Sequence, residues 1–549
     1  MAYRKLNLDR DKISQCRDLA ARIVKPVQKY IDRHSTVSIE SSCLCSFGID
    51  RIVNGRPVAD AIIDRIDRDR LRRGIAFWFG SALVHTGLSA QDVAAKIANG
   101  ELSFDNVPDI PLSKIRGALS PLISFAVQKM NRVREERKLS ASRFETSAPS
   151  PSSLLMAAPE NNASLEASLG PENGADIIFF HTLKERGQSA QTHRTKCVGP
   201  KQFATSVLGL NASQEAFTAA TNGVNIIAHD AFGEILKRGV NPKRALVDAH
   251  CIRRICAKTD ITLFCENAHT ADVDGYRETH QAIASQFIAE QFAIRAKINP
   301  EKMAIGHAYD MDPFREGGFL LELARAAMVR DFYPRSPLVY MPPPIFSTGS
   351  DIEKKIIGTL FLCSSVMTEQ SVIYLPFNID FAGLLKGART IIQATRTLGD
   401  EIQFVSNGKI DRRANTILEN ALRFLGKIEG RGLLDAFSHG VFAGIHAEEK
   451  GGIGLDGVFQ KDRNYFNPLE DILDGKIAGE EISKAHEKTG GIAEKEAKEA
   501  RQPSAPKEGK RRSYRRRGGR YRGHHAFKST HSGKTLEKAK RTDYPPKNG

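Results

Sequence analysis

Between residues 175 and 343, several short apolar runs end in side chains that could do chemistry. VNIIAH (224–229) ends at His229 and Asp230. RALVDAH (244–250) ends at Asp248 and His250. ITLFCEN (261–267) ends at Glu266 and Asn267, and AIGHAYD (304–310) carries His307 and Asp310. Histidines and carboxylates move protons and orient amines at neutral pH. The competing role for each is a helix cap or a structural polar contact. Asp248-Ala-His250 with His307 has ligand-type residues, but there is no HExxH or clustered Cys/His spacing, so no metal site is expected. A nucleophile elbow, a P-loop and a GxGxxG are also absent. The segment KERGQSAQTHRTKCVGPK (184–201), with Lys184 and Ser189, combines cations, glycine and hydroxyls. That composition suits a phosphate-binding loop, and equally an ordinary solvated basic loop.

Strands must position these groups. Six runs read as strands buried on both faces: ADIIFF (175–180), the four above and PLVYMPP (337–343). Helical windows lie between several of them, the clearest at 276–296 and 316–331. Alternation of this kind predicts a parallel α/β sheet, and its length favours a TIM-type (β/α) barrel with functional groups at the C-terminal strand ends. Residues 1–139 read as helical: Arg10 to Tyr30, Leu71 to His85 with Trp78, a start signal at Ser89-Ala-Gln-Asp92, and Pro111 to Arg137. Residues 140–172, rich in Ser, Ala and Pro, read as a linker, although LLMAA within them has strand character. The predicted organisation is an N-terminal helical region (1–139), a linker-like segment (140–172), a barrel core (173–350), a C-terminal accessory region (351–475) and a low-complexity basic tail (476–549), disordered by composition.

The chain has 549 residues, 41% of them hydrophobic and 26% charged. Its net charge of +16 is not spread evenly. Residues 501–549 hold 16 Lys and Arg against 3 Asp and Glu, which leaves +3 for the other 500 residues. The basic character therefore belongs to the tail and says nothing about the main site. RRSYRRRGGRYRGHH (511–525) interleaves Arg and Gly with Tyr514 and Tyr521, as in RNA-binding RGG-like segments. A weak nucleic-acid contact by residues 501–549 is one expectation; a solvated tail with general polyanion affinity is the other. Eight cysteines without CxxC spacing, a charged N-terminus without an apolar core, and no apolar run of about 18 residues predict a cytoplasmic protein without disulfides or membrane contact.

Several segments carry a family resemblance. They are HSTVSIESSCLCSFGID (34–50), GRPVADAIID (55–64), IAFWFGSALVHTGLSAQDVAAKIANGELSFDNVP (75–108), NPKRALVDAH (241–250), ASQFIAEQFA (284–293), MAIGHAYDMDP (303–313), FLLELARAAMVRDFYPRSPLVYMPP (319–343) and GIGLDGVFQKDRNYFNP (452–468). In this order they resemble the large (α) subunit of D-lysine 5,6-aminomutase. The resemblance implies a TIM barrel with an N-terminal helical region and accessory segments. It implies an isomerase that moves the terminal amino group of lysine to the neighbouring carbon, using pyridoxal 5′-phosphate (PLP) and adenosylcobalamin. It also implies a small cobalamin-binding β subunit that holds most of the cobalamin and supplies the Schiff-base lysine. This chain fits that division, because Asp248-Ala-His250 is followed by Cys-Ile-Arg and is not a cobalamin signature.

The resemblance also implies site residues. Lys184 stands where the family has a phosphate-side arginine, and Ser189, in Gly187-Gln188-Ser189, would bond the phosphate. Arg238 matches an arginine that holds a carboxylate. Glu266 and Asn267 fall on an acidic pair that orients cofactor or substrate. His307, Glu278 and His280 match polar family positions. There are departures. The stretch between Ser189 and Leu208 is shorter than the family's, which would shorten the barrel. A family serine becomes Leu208, with Ser206 nearby as a substitute. The PLP-stacking tyrosine becomes Gly233, with Phe232 adjacent and able to stack. The acid at Asn267 has lost its charge, and an expected lysine is Val339. These departures keep two further readings open: a non-catalytic aminomutase-like scaffold that has lost part of the PLP site, and a polyanion- or RNA-associated protein acting through its tail.

Overall fold

A computed structural model describes residues 6–49, 52–53, 56–141, 153–157, 175–180, 202–265, 279–308, 316–341, 350–375, 381–398, 408–442 and 453–475. All of them lie in a first unit, Met1–Ser483; the second unit, Lys484–Gly549, is outside the described residues, as is the tail expectation.

Eight parallel strands form a closed barrel: β1 (Ser153–Ala157), β2 (Ile177–Phe180), β3 (Gln202–Ser206), β4 (Ile226–Ala228), β5 (Thr262–Cys265), β6 (Met303–Ala308), β7 (Leu338–Met341) and β8 (Val372–Leu375). Each pairs with its neighbour in sequence, and β8 closes on β1, with Ile373 opposite Leu154. The barrel has its full eight strands, so the shortened barrel expected from the stretch after Ser189 is corrected. It recruits β1 from the Ser/Ala/Pro-rich segment and β8 from beyond residue 350.

Side chains alternate across each strand. Ile177, Phe179, Ala204, Ile226, Ala228, Phe264, Ala304, Val339 and Val372 fill the interior as one cluster. Leu154, Ile178, Phe203, Tyr340 and Ile373 face outward and belong to a second cluster with residues of the helices Asp351–Met367 and Phe381–Leu398. The outward faces of β4, β5 and β6 merge with the N-terminal helices into one large core. Among those helices are α1 (Arg10–Arg33), α2 (Val37–Ser46), α3 (Ile75–Thr86) and α4 (Leu112–Ala141), and the barrel helices α5 (Ala212–Thr221) and α6 (Ala231–Leu236) share the same core. The start signal at Ser89 operates as read: its side chain accepts from the Asp92 amide.

The run 244–250 is a correction. It belongs to α7 (Pro242–Thr259), not to a strand. Asn241 caps it by accepting from the Lys243 amide, Pro242 starts it, and Asp260 at φ 56° ends it. Ala245, Leu246, Ala249, Ile252 and Cys256 line its buried face at helical spacing. An apolar run this short cannot distinguish one helical turn from a strand.

Asp248 and His250 are therefore not strand-end residues. Asp248 is buried and pairs with Arg244 at 2.5 Å, while accepting from Ser213 Oγ at 3.1 Å and from Thr36. Thr36 ends a short strand, His34–Thr36, that pairs antiparallel with Val458–Gln460. A second buried knot lies nearby. Glu40 accepts from Ser35 Oγ (2.8 Å), Tyr465 Oη (2.6 Å) and the Ile75 amide (2.8 Å). These contacts bind residues from both ends of the family-like region to the barrel's helical layer. No described helix is long and apolar enough to cross a membrane.

Candidate active site at the barrel mouth

A cavity of about 280 Å³ opens at the C-terminal ends of the strands. Phe179 (β2), Ser206 (the last residue of β3), Met341 (the last residue of β7) and Tyr374 (β8) contribute from strands. Leu208 and Asp230 follow β3 and β4. Gly233, Glu234, Lys237 and Arg238 come from α6 (Ala231–Leu236) and the turn after it. This is the end of a TIM barrel where substrates are handled. The volume falls just below the ~300–1,000 Å³ typical of ligand sites.

One wall is aromatic: the Phe179 and Tyr374 rings meet edge to face, with centroids 5.9 Å apart. Another wall is charged. Asp230 caps α6 by accepting from the Phe232 amide. Glu234, one turn on, is buried; it accepts from the Gly209 amide at 2.9 Å and pairs with Arg238 Nε at 3.2 Å. Gly233 leaves its wall open: a Cβ there would stand 2.9 Å from Asp230 Oδ2.

The structure brings together two of the site residues expected from sequence, Ser206 and Arg238. Phe232 is a correction. Its ring is fully buried against Phe437 and Phe442, at centroid distances of 5.0 and 5.7 Å, and does not line the cavity, so it cannot stack on a ligand there. Val339 is a buried interior residue of the barrel, and His280 packs edge-on against Phe424. His307 lies on β6 in register with Tyr340 of β7. Lys184, Ser189, Glu266, Asn267, Glu278 and Asp310 lie outside the described residues.

His229 immediately precedes the cavity residue Asp230 but is buried away from it. Its Nδ1 meets the Val207 carbonyl at 2.9 Å. Burial, reinforced by the charge of Arg253, pushes its pKa down to about 4, so the ring is neutral at pH 7. It ties the ends of β3 and β4 together.

Sequence reading missed Phe179, Tyr374, Met341, Glu234 and Lys237. Inside the ADIIFF run, position relative to the strand end could have flagged Phe179. Tyr374 carried no signal, because β8 lay in a region read as accessory.

The closed barrel with a polar and aromatic cavity at its C-terminal mouth defines a (β/α)8-barrel protein with a ligand-sized site where such barrels handle substrates. The family model described as the D-lysine 5,6-aminomutase TIM-barrel domain of the alpha subunit matches residues 6–193 and 201–472. The chain belongs to this family and so to the isomerases, as an aminomutase large subunit. It is 30% identical to the lysine 5,6-aminomutase alpha subunit of Acetoanaerobium sticklandii over 515 residues, spanning 85% of this chain and 98% of that protein. It is 31% identical to the protein of the same name from Fusobacterium nucleatum, over 86% of this chain and 99% of that one. A more distant similarity, 21% identity over 294 residues, links it to the D-ornithine 4,5-aminomutase subunit beta of A. sticklandii.

Proposed function

We propose that this chain is the large subunit of a cytoplasmic radical aminomutase that moves the terminal amino group of lysine to the adjacent carbon. In this reading it works with PLP, adenosylcobalamin and a small cobalamin-binding subunit that supplies the Schiff-base lysine. The observation that carries the reading is identity of about 30% along nearly the whole length of relatives named for that reaction.

The cavity residues fit a small phosphorylated aromatic group. Phe179 and Tyr374 offer ring walls, Ser206 a hydroxyl, and Lys237 and Arg238 positive charge. Ser206, together with Lys184 and Ser189, would hold the phosphate. When bound, PLP supplies a ring that delocalises an unpaired electron, and adenosylcobalamin supplies the radical that abstracts hydrogen. The chain's own task is to bind, orient and shield. Arg238 holds the substrate carboxylate through its guanidinium fork, which fixes the far end of the substrate. Glu266, Asn267 and His307 orient the reacting end. The apolar walls from Leu208, Met341 and Phe179 exclude water from the reacting groups.

The test is co-expression with the small cobalamin-binding subunit, followed by visible absorbance after adding PLP. The expected result is a stable complex with a protein-bound PLP band that shifts on adding D-lysine, and turnover with adenosylcobalamin. A stable complex without the band would replace this reading with a scaffold that has lost its PLP site, the outcome suggested by Gly233 and Leu208 in the cavity wall.

A further inference from the structure

We infer that Glu234 is the positioning residue that aims Arg238 at the substrate's carboxylate, so that a buried acid and an exposed arginine act as one recognition unit. This rests on the reading of Arg238 given above. The two side chains differ sharply in environment: Glu234 is 3% exposed and Arg238 is 52% exposed. A half-exposed arginine has many rotamers and little reason to point into a cavity. Glu234 removes that freedom. One carboxylate oxygen takes the Gly209 amide at 2.9 Å, which anchors the acid to the turn after β3. The other takes Arg238 Nε at 3.2 Å. Contact through Nε leaves the two Nη groups as an end-on fork, the geometry that receives a carboxylate in a bidentate pair. Both residues line the cavity, one helical turn apart.

The anchor also explains why an acid is tolerated in a site that must bind an anion. Its charge is taken up by the guanidinium and a backbone amide, and the guanidinium faces the ligand. The arrangement predicts discrimination: a lysine with its carboxylate should bind better than the same diamine without it.

The experiment is calorimetric titration of the PLP-loaded complex with D-lysine and with 1,5-diaminopentane, which lacks the carboxylate. The quantity read is the ratio of the two affinities. Glu234→Gln keeps an acceptor for the Gly209 amide but loses the charge, and it should lower the ratio by about tenfold, the scale of one charge-assisted contact. Arg238→Ala should lower it at least as much, and Glu234→Gln should add nothing on top of Arg238→Ala. Arg238→Lys, at an exposed position, keeps the charge but not the fork, and should also lose the preference. If Arg238→Ala collapses the ratio while Glu234→Gln or Arg238→Lys leaves it intact, the positioning inference is overturned. If Arg238→Ala leaves the ratio unchanged, the carboxylate assignment fails with it. If D-lysine does not bind the parent complex, the proposed function fails first.

Discussion

Asp248 and Arg244, one turn apart on the same helix, pair at 2.5 Å with side-chain exposures of 4% and 1%. Thr36 and Ser213 donate to the same carboxylate, so the pair joins an N-terminal strand, a barrel helix and the helix Ala212–Thr221. Removing one member of a buried, hydrogen-bonded pair leaves the other charge uncompensated. Asp248→Ala should destabilise the chain by ~3–5 kcal/mol. Urea unfolding checks this, and Arg244→Met in the same chain should recover part of the loss. An Asp248→Ala protein as stable as the parent would mean that the knot does not hold the N-terminal region.

Acid should weaken the fold through two histidines. Burial pushes both His229 and His250 down to about 4 from an ordinary 6.5, and Arg253 adds to the effect on each. Between these values the unfolded chain binds protons that the folded chain refuses. The stabilisation is full above pH 6.5 and is lost as pH falls toward 4, by roughly 3 kcal/mol per histidine. Unfolding measured across this range should show stability rising with pH, and His229→Gln should flatten the slope. An unchanged slope would show that His229 takes up its proton in the folded state.

The aromatic wall should hold the cofactor ring. Tyr374→Ala is expected to weaken PLP retention ~3–10-fold, the scale of one aromatic contact, and Tyr374→Phe to leave it nearly unchanged. Phe232→Leu provides the contrast. Its ring packs on Phe437 and Phe442, so it should lower the melting temperature and spare PLP retention. PLP titration followed by absorbance decides, and a larger retention loss for Phe232→Leu than for Tyr374→Ala would reverse the assignment.

The tail should bind polyanions without affecting the barrel. Residues 501–549 carry 16 Lys and Arg against 3 Asp and Glu, and the family match ends at residue 472. Retention of the full chain on immobilised single-stranded RNA should be weak and should fall steeply with salt, as counterion release requires. Deleting 501–549 should abolish retention and leave turnover intact. Salt-insensitive retention that survives the deletion would place nucleic-acid binding in the folded unit.

Much of the barrel was legible because strands covered on both faces read as compact apolar runs. Those at 175–180, 224–229, 261–267 and 337–343 each contain a barrel strand, and 304–310 overlaps Met303–Ala308. The run at 244–250 misled because Ala245, Leu246 and Val247 satisfy a helix as well as a strand over so short a span. Asn241-Pro242, a cap followed by a first-turn proline, was the signal that separates the two. The other three strands were less visible: β1 showed only the strand character of LLMAA among Ser, Ala and Pro, β3 (Gln202–Ser206) follows a basic loop-like segment, and β8 sits beside helical sequence. Barrel closure, more than local pattern, recruits them.

The amino-acid sequence alone determined the family and the concentration of charge in the tail, and it nominated Arg238 and Ser206, both of which line the barrel-mouth cavity. Those properties reside in residue types and their order. Tertiary structure decided which neighbours share the cavity. His229 and Asp230 are adjacent, yet one ties strand ends in the buried layer and the other lines the mouth. Phe232 and Gly233 are adjacent, yet one packs in the core and the other opens the cavity wall. Phe179 and Tyr374, almost two hundred positions apart, meet only because the eighth strand pairs with the first. Side-chain direction changes with each residue along a strand or helix, and ring closure sets which strand ends converge, so neither follows from residue type.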